Sequence, residues 1–178
     1  LYMQVNGYLQ VDFVGIHLGI NDVFVEVDDA GVRRVIDNGM PMLERMIESI
    51  RAFGPKTVIG VMIAIPPSRH QDSFGSSYGA GQNRWRYKRN LFLWNNELLA
   101  RFGRREEEGI HAVPVNVNLD TVHNMECVQV SANSRTARLV TRQTDGVHPA
   151  PEGYAQMADV LYYWLKNVRQ SNTFGKPY

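Results

Sequence analysis

The chain has 178 residues, enough for one domain with a real core. With 44% hydrophobic and 21% charged residues and a net charge of +1, it has an ordinary globular composition and no large basic surface for nucleic acid. No apolar run reaches the roughly 18 residues of a membrane span, and Cys127, the only cysteine, excludes an intrachain disulfide and leaves the compartment undetermined.

Leu1 to Gln10 reads as the end of a helix or a connector, with Asn6-Gly7 as its stop. Asp12 to Leu18 is the first strand, an apolar run that delivers Gly19-Ile20-Asn21-Asp22 into an acidic loop reaching Gly31. Glu26, Asp28 and Asp29 in that loop could suggest a metal site. The plainer reading is a solvated loop that caps the next helix. Val32 to Phe53 carries apolar residues at helical spacing, interrupted by Pro41. Either a short helix ends near Asn38-Gly39 and a second starts with Pro41 in its first turn, or one helix kinks there. Thr57 to Ile65 is a continuous apolar run and reads as a buried parallel strand, ended by Pro66-Pro67.

Ser68 to Arg84 is a long polar loop, of a length that is often functional. Trp85, Tyr87, Lys88 and Arg89 follow. Aromatic and basic residues together can bind sugars or nucleic acid, whereas a tryptophan at helical spacing is more often core, and for Trp85 both readings stay open. Arg84 to Arg104 is a helix with Leu91, Asn95, Leu98 and Phe102 on one face. After a charged turn at Glu106 to Gly109, His111 to Val117 is the next strand. Asn118 to Gln143 looks like a β-hairpin or extended excursion, with His123 as a surface residue. The final helix starts at Pro151. Its Tyr154, Met157, Ala158, Leu161, Leu165 and Val168 predict one buried face. The residues from Asn167 read as a loose tail. With no linker and no internal repeat, the chain is expected to form a single domain over 1–170 and a tail at 171–178. Alternating strands and helices predict an α/β fold with a parallel sheet and crossover helices.

Two stretches carry chemistry. In Asp145-Gly146-Val147-His148-Pro149 an acid and a histidine stand three residues apart. A carboxylate beside an imidazole fixes its tautomer and stabilises the imidazolium, as a general base in acyl transfer requires. In Gly19-Ile20-Asn21-Asp22, at the end of the first strand, Gly19 permits close backbone approach and Asn21 carries an amide donor suited to an oxyanion.

Taken together, Gly-x-Asn-Asp after a strand and Asp-x-x-His-Pro before the last helix resemble the SGNH hydrolases, also called GDSL esterases. The resemblance implies a three-layer α/β/α sandwich with a flavodoxin-like parallel sheet. It also implies His148 as the base, Asp145 as its partner, Asn21 and Gly19 in the oxyanion hole, and Asp22 as a structural residue beside them. No cofactor and no metal are expected. The family's Gly-Asp-Ser nucleophile block is absent from the sequence. The expectation is therefore an N-terminally incomplete domain, with the serine on a missing upstream segment or another chain. Asp72-Ser73 does not replace it, since it lacks the preceding glycine and follows the oxyanion motif. The implied activity is hydrolysis of small acyl esters, O-acetyl groups on carbohydrate among them. The alternative is an inactive SGNH-like binding or structural module, for example of a phage particle or surface protein. A metallohydrolase built on His17, Asp22, Asp145 and His148 ranks below both, because no ligand spacing supports it.

Overall fold

A computed structural model describes residues 2–75 and 81–174. A one-turn helix, α1 (Tyr2–Val5), stops at Asn6-Gly7 as expected. Strands β1 (Phe13–Ile16), β2 (Val58–Met62) and β3 (Ile110–Val113) then form a parallel sheet in the order β1-β2-β3. Phe13 pairs with Val58 and Ile59 with Ile110. The central strand β2 buries Ile59 and Val61. A strand covered on both faces has no solvent side, so its sequence is apolar throughout instead of alternating.

Where a loop is expected after β1, Ile20–Phe24 forms the short helix α2. Asp28 then caps α3 (Asp29–Phe53), its carboxylate accepting a hydrogen bond from Gly31 N at 2.7 Å. One continuous helix runs through Pro41 and buries Val32, Ile36, Met40, Leu43 and Ile47. That apolar stripe continues on both sides of Pro41. Its packing offsets a proline penalty of about 3 kcal/mol.

The loop after β2 contains a helical turn, α4 (Asp72–Gly75), and leads to α5 (Arg84–Phe102). Residues 76–80 of that loop lie outside the described residues. Leu91, Leu98 and Phe102 of α5 are buried. Asn95, expected on the same face, donates to Ala64 O at 2.9 Å and accepts from Ala64 N at 3.0 Å. Its amide thus satisfies the backbone just beyond β2. Glu106–Glu108 is a 3-10 turn. Arg105 beside it bonds both Glu44 and Glu108, and those carboxylates, Glu108 first, hold its guanidinium firmly protonated.

The fold is mixed α/β, a parallel three-stranded sheet flanked by helices, consistent with an α/β/α sandwich. The chain divides into two compact units. The first, Leu1–Ala64 with Asn90–Val113, holds the sheet. The second is Ile65–Arg89 with Pro114–Tyr178. It contains the expected hairpin, β4 (Cys127–Asn133) paired antiparallel with β5 (Thr136–Gln143), Val130 opposite Val140. It ends in α6 (Pro151–Phe174). Among the described residues no helix is long and apolar enough to cross a membrane.

Two expectations need correction, and the open question of Trp85 is answered. The loose tail from Asn167 is helical as far as Phe174, because Val168 extends the buried stripe; residues 175–178 lie outside the described residues. Trp85 is 69% exposed, while Tyr87, two residues on, is fully buried. Arg84 lies over the Trp85 ring at 4.5 Å, so a guanidinium covers it and the core does not. Finally, the buried face of α6 passes through Gly153, Met157 and Val168, with Leu161 and Leu165 half-buried and Tyr154 49% exposed. Gly153 packs closely on Asn124 O, Pro149 and Leu119, which turns its neighbour Tyr154 outward. Met157→Ala should therefore cost about 2–5 kcal/mol, whereas Tyr154→Ser should stay within about 0.5 kcal/mol. Urea unfolding of the two variants measures both.

Candidate active site

Asp145 and His148 meet in the second unit. One carboxylate oxygen of Asp145 accepts the backbone N–H of Val147 at 2.7 Å and of His148 at 2.6 Å. The other lies 3.0 Å from His148 Nδ1. The carboxylate thus closes the turn and orients the ring it precedes. The Asp145 side chain is 25% exposed and the His148 ring 60%, so the imidazole faces solvent while its partner is largely covered. Gly146 serves close approach here: a Cβ would meet the Phe74 ring at 2.5 Å.

The same device occurs twice. Asp120 accepts Val122 N at 2.9 Å and His123 N at 3.1 Å through one oxygen, and its other oxygen lies 2.8 Å from His123 Nδ1. The His123 bond, followed by the two backbone bonds, holds the Asp120 carboxyl below its ordinary range. The signal was present in the sequence: Asp-x-Val-His stands at 120–123 and again at 145–148. Sequence reading treats His123 as a plain surface residue and passes over the pair.

One segment clasps both turns. Ser68 N donates to Gly146 O at 3.0 Å, and Arg69 N donates to Thr121 O at 3.1 Å, each the second residue of its motif. Buried Gln143 adds to this clasp: its Nε2 donates to Thr121 O at 2.7 Å while its Oε1 accepts from His70 N at 2.8 Å. Ser68 and Ser73 are fully buried, and their hydroxyls are 2.7 Å apart. Ser73 Oγ also donates to His70 O at 3.1 Å. A buried, engaged hydroxyl is not exposed to substrate, which agrees with setting Asp72-Ser73 aside as a nucleophile.

Gly19, Asn21 and Asp22 lie together in the first unit. Gly19 caps α2 at φ +92, a conformation that side chains oppose, and a Cβ there would overlap the Trp94 ring at 2.0 Å. Asn21 and Asp22 are exposed in the first turn of α2. Leu18, Asp22, Val35, Met42, Met46 and Trp94 help to line a cleft of about 580 Å³ in this unit, in the size range of small-molecule sites. His17 precedes them, with Nε2 buried and unpartnered among the described residues. Among those residues no group of three or more His, Cys, Asp or Glu is placed to share a metal ion.

No protein-family model and no curated protein matches the sequence. Solved structures share its fold. A protein described as a "putative platelet activating factor", from Streptococcus pneumonia, superposes with a TM-score of 0.54 at 19% identity, over 89% of this chain and 61% of its own. A "possible lipase" from Chitinophaga pinensis DSM 2588 superposes with a TM-score of 0.50 at 15% identity, over 93% of this chain and 76% of its own. This chain therefore spans about three-fifths of the length of the first. At these identities the likeness is one of fold.

Burial pushes the His17 imidazole below its ordinary value of 6.5, and burial does the same to His111. The folded chain then binds fewer protons than the unfolded chain just below pH 6.5, so stability falls as pH drops through that region. The Asp120 carboxyl has its effect lower, below its ordinary 3.8. Urea unfolding at pH 7 and pH 5.5 should show the loss, and His17→Phe should reduce it.

Proposed function

We propose that the chain supplies the base and acid of an acyl-ester hydrolase of the SGNH type. The observation that carries this reading is the Asp145–His148 pair, a carboxylate locked by two backbone amides with its second oxygen on Nδ1. In this reading Nδ1 keeps its proton toward Asp145. His148 takes the proton of an attacking hydroxyl at Nε2 and returns it to the leaving alcohol. Asp145 stabilises the imidazolium in between. The fold likeness to proteins described as a "possible lipase" and a "putative platelet activating factor" supports an ester substrate.

The remaining roles follow from the resemblance. Asn21 and Gly19 donate to the tetrahedral oxyanion, about 3 kcal/mol for one donor in comparable sites, and Asp22 supports them. Because the sequence contains no Gly-Asp-Ser, the nucleophilic serine comes from outside residues 1–178, on an upstream segment or another chain. The substrate is a small acyl ester, with O-acetyl groups on carbohydrate as the favoured class.

Hydrolysis of p-nitrophenyl acetate, combined with labelling by a serine-directed phosphonate, tests this. Residues 1–178 alone should show no stoichiometric serine label. Supplied with the serine-bearing segment, the protein should turn over ester, and His148→Ala should lower the rate by about 10²–10⁴. Asp145→Asn should lower it too, by inverting the tautomer. Labelling of Ser68 or Ser73 in the chain alone, or turnover indifferent to His148, would sink the proposal. Absence of turnover would favour the binding module.

A further inference from the structure

The net charge of +1 conceals a division. Leu1–Ala64 with Asn90–Val113 carries eight Lys and Arg against twelve Asp and Glu, while Ile65–Arg89 with Pro114–Tyr178 carries eleven against six. The unit that contains Asp145 and His148 is thus the basic one. Part of that charge lies on its hairpin. Cys127–Gln143 contains Arg135, Arg138 and Arg142 and no acidic residue. Arg138 and Arg142 share a face of β5, four residues or about 13 Å apart along the strand, together with Val140 and, opposite on β4, Val128 and Val130. Among the described residues the Arg135 and Arg138 guanidiniums meet no carboxylate, and Arg142 meets only Asp72, at 3.8 Å. Val128 on one face of the ribbon and Leu139 on the other are 45% and 60% exposed. A two-stranded ribbon with both faces in water is marginal by itself and gains from a partner laid along it.

The exposed Trp85 ring is linked to this ribbon by a chain of contacts within the same unit. Arg84 lies over the ring. Its backbone N–H donates to Gln71 Oε1 at 2.7 Å, and the next residue, Asp72, pairs with Arg142. Arg84 Nε donates to Ser68 O at 2.9 Å, and Ser68 N donates to Gly146 O. The aromatic plate, the arginine strand and the Asp145–His148 turn are therefore held in one framework within one unit.

We infer that Trp85 and the β5 arginines form a binding face for an anionic polysaccharide. The indole, 69% exposed with Arg84 over one of its faces, has the other to offer to the face of a sugar ring. The arginines present fork-shaped donors to carboxylate or sulfate. Single-stranded nucleic acid is favoured less, since that mode stacks successive bases on several rings and Tyr87 beside Trp85 is buried. The inference rests on the hydrolase reading only in making this polymer the carrier of the ester.

Affinity electrophoresis and titration of tryptophan fluorescence, on the full chain, test the site with polygalacturonate and heparin as probes and dextran and oligo-dT as comparisons. The expected result is binding to polygalacturonate or heparin that weakens with salt and exceeds binding to dextran and oligo-dT. Trp85→Ala and the pair Arg138→Ser with Arg142→Ser should each weaken it at least about tenfold, the scale of one lost cation–π or charged contact. Both changes fall on exposed side chains, and circular dichroism verifies that the variants fold. His148→Ala should bind like the parent chain, so failure of the hydrolase reading and failure of this face are read separately. No binding to either anionic probe, equal binding by the variants, or preference for oligo-dT would overturn the inference.

Discussion

The second unit depends on what one carboxylate can do with two oxygens. Asp145 places one on the amides of Val147 and His148, and these local bonds close the turn that Ser68 then clasps. The second is thereby aimed, and the His148 ring lies where it points. Positioning the ring costs little additional order, because the same bonds that form the turn direct it. With Asp120 and His123 the device is repeated at a second place in the same unit. The segment Ser68 to His70 and the amide of Gln143 then bond to these turns, so the backbone polar groups of irregular chain are satisfied by neighbouring irregular chain.

In the first unit the organising constraint is steric. Trp94 packs so close to Gly19 that no side chain fits between them, and Gly19 holds a backbone conformation that only glycine adopts easily. Buried amides do the joining. Asn90 donates to Val23 O and Glu26 O, each at 2.7 Å, and Asn95 meets both backbone groups of Ala64. Side chains of this kind let α5 bury a largely apolar face while it satisfies carbonyls that the sheet and α2 leave unpaired.

The comparisons and the geometry bear on different questions. Likeness at 15% and 19% identity speaks for the fold and leaves the chemistry to named residues. Those residues pair a carboxylate with an imidazole in one turn. They also show that the charge of the chain is distributed unevenly, a feature that a net charge of +1 conceals.

The sequence by itself determined the type and order of nearly every element, because helix and strand periods are local and the caps, Asp28 among them, act within a turn. It likewise determined that Asp145 and His148 meet, since three residues of a tight turn suffice to join them. Only the tertiary structure decided which side of α6 is buried, that Trp85 is exposed and Tyr87 is not, and that α3 continues unbroken through Pro41. Only it showed Ser73 to be enclosed and Gln143 to hold Thr121 from 22 residues away. The division has a physical cause. Bonds that span a few residues are written in spacing, whereas burial and long-range bonds depend on which surfaces meet once the chain has folded.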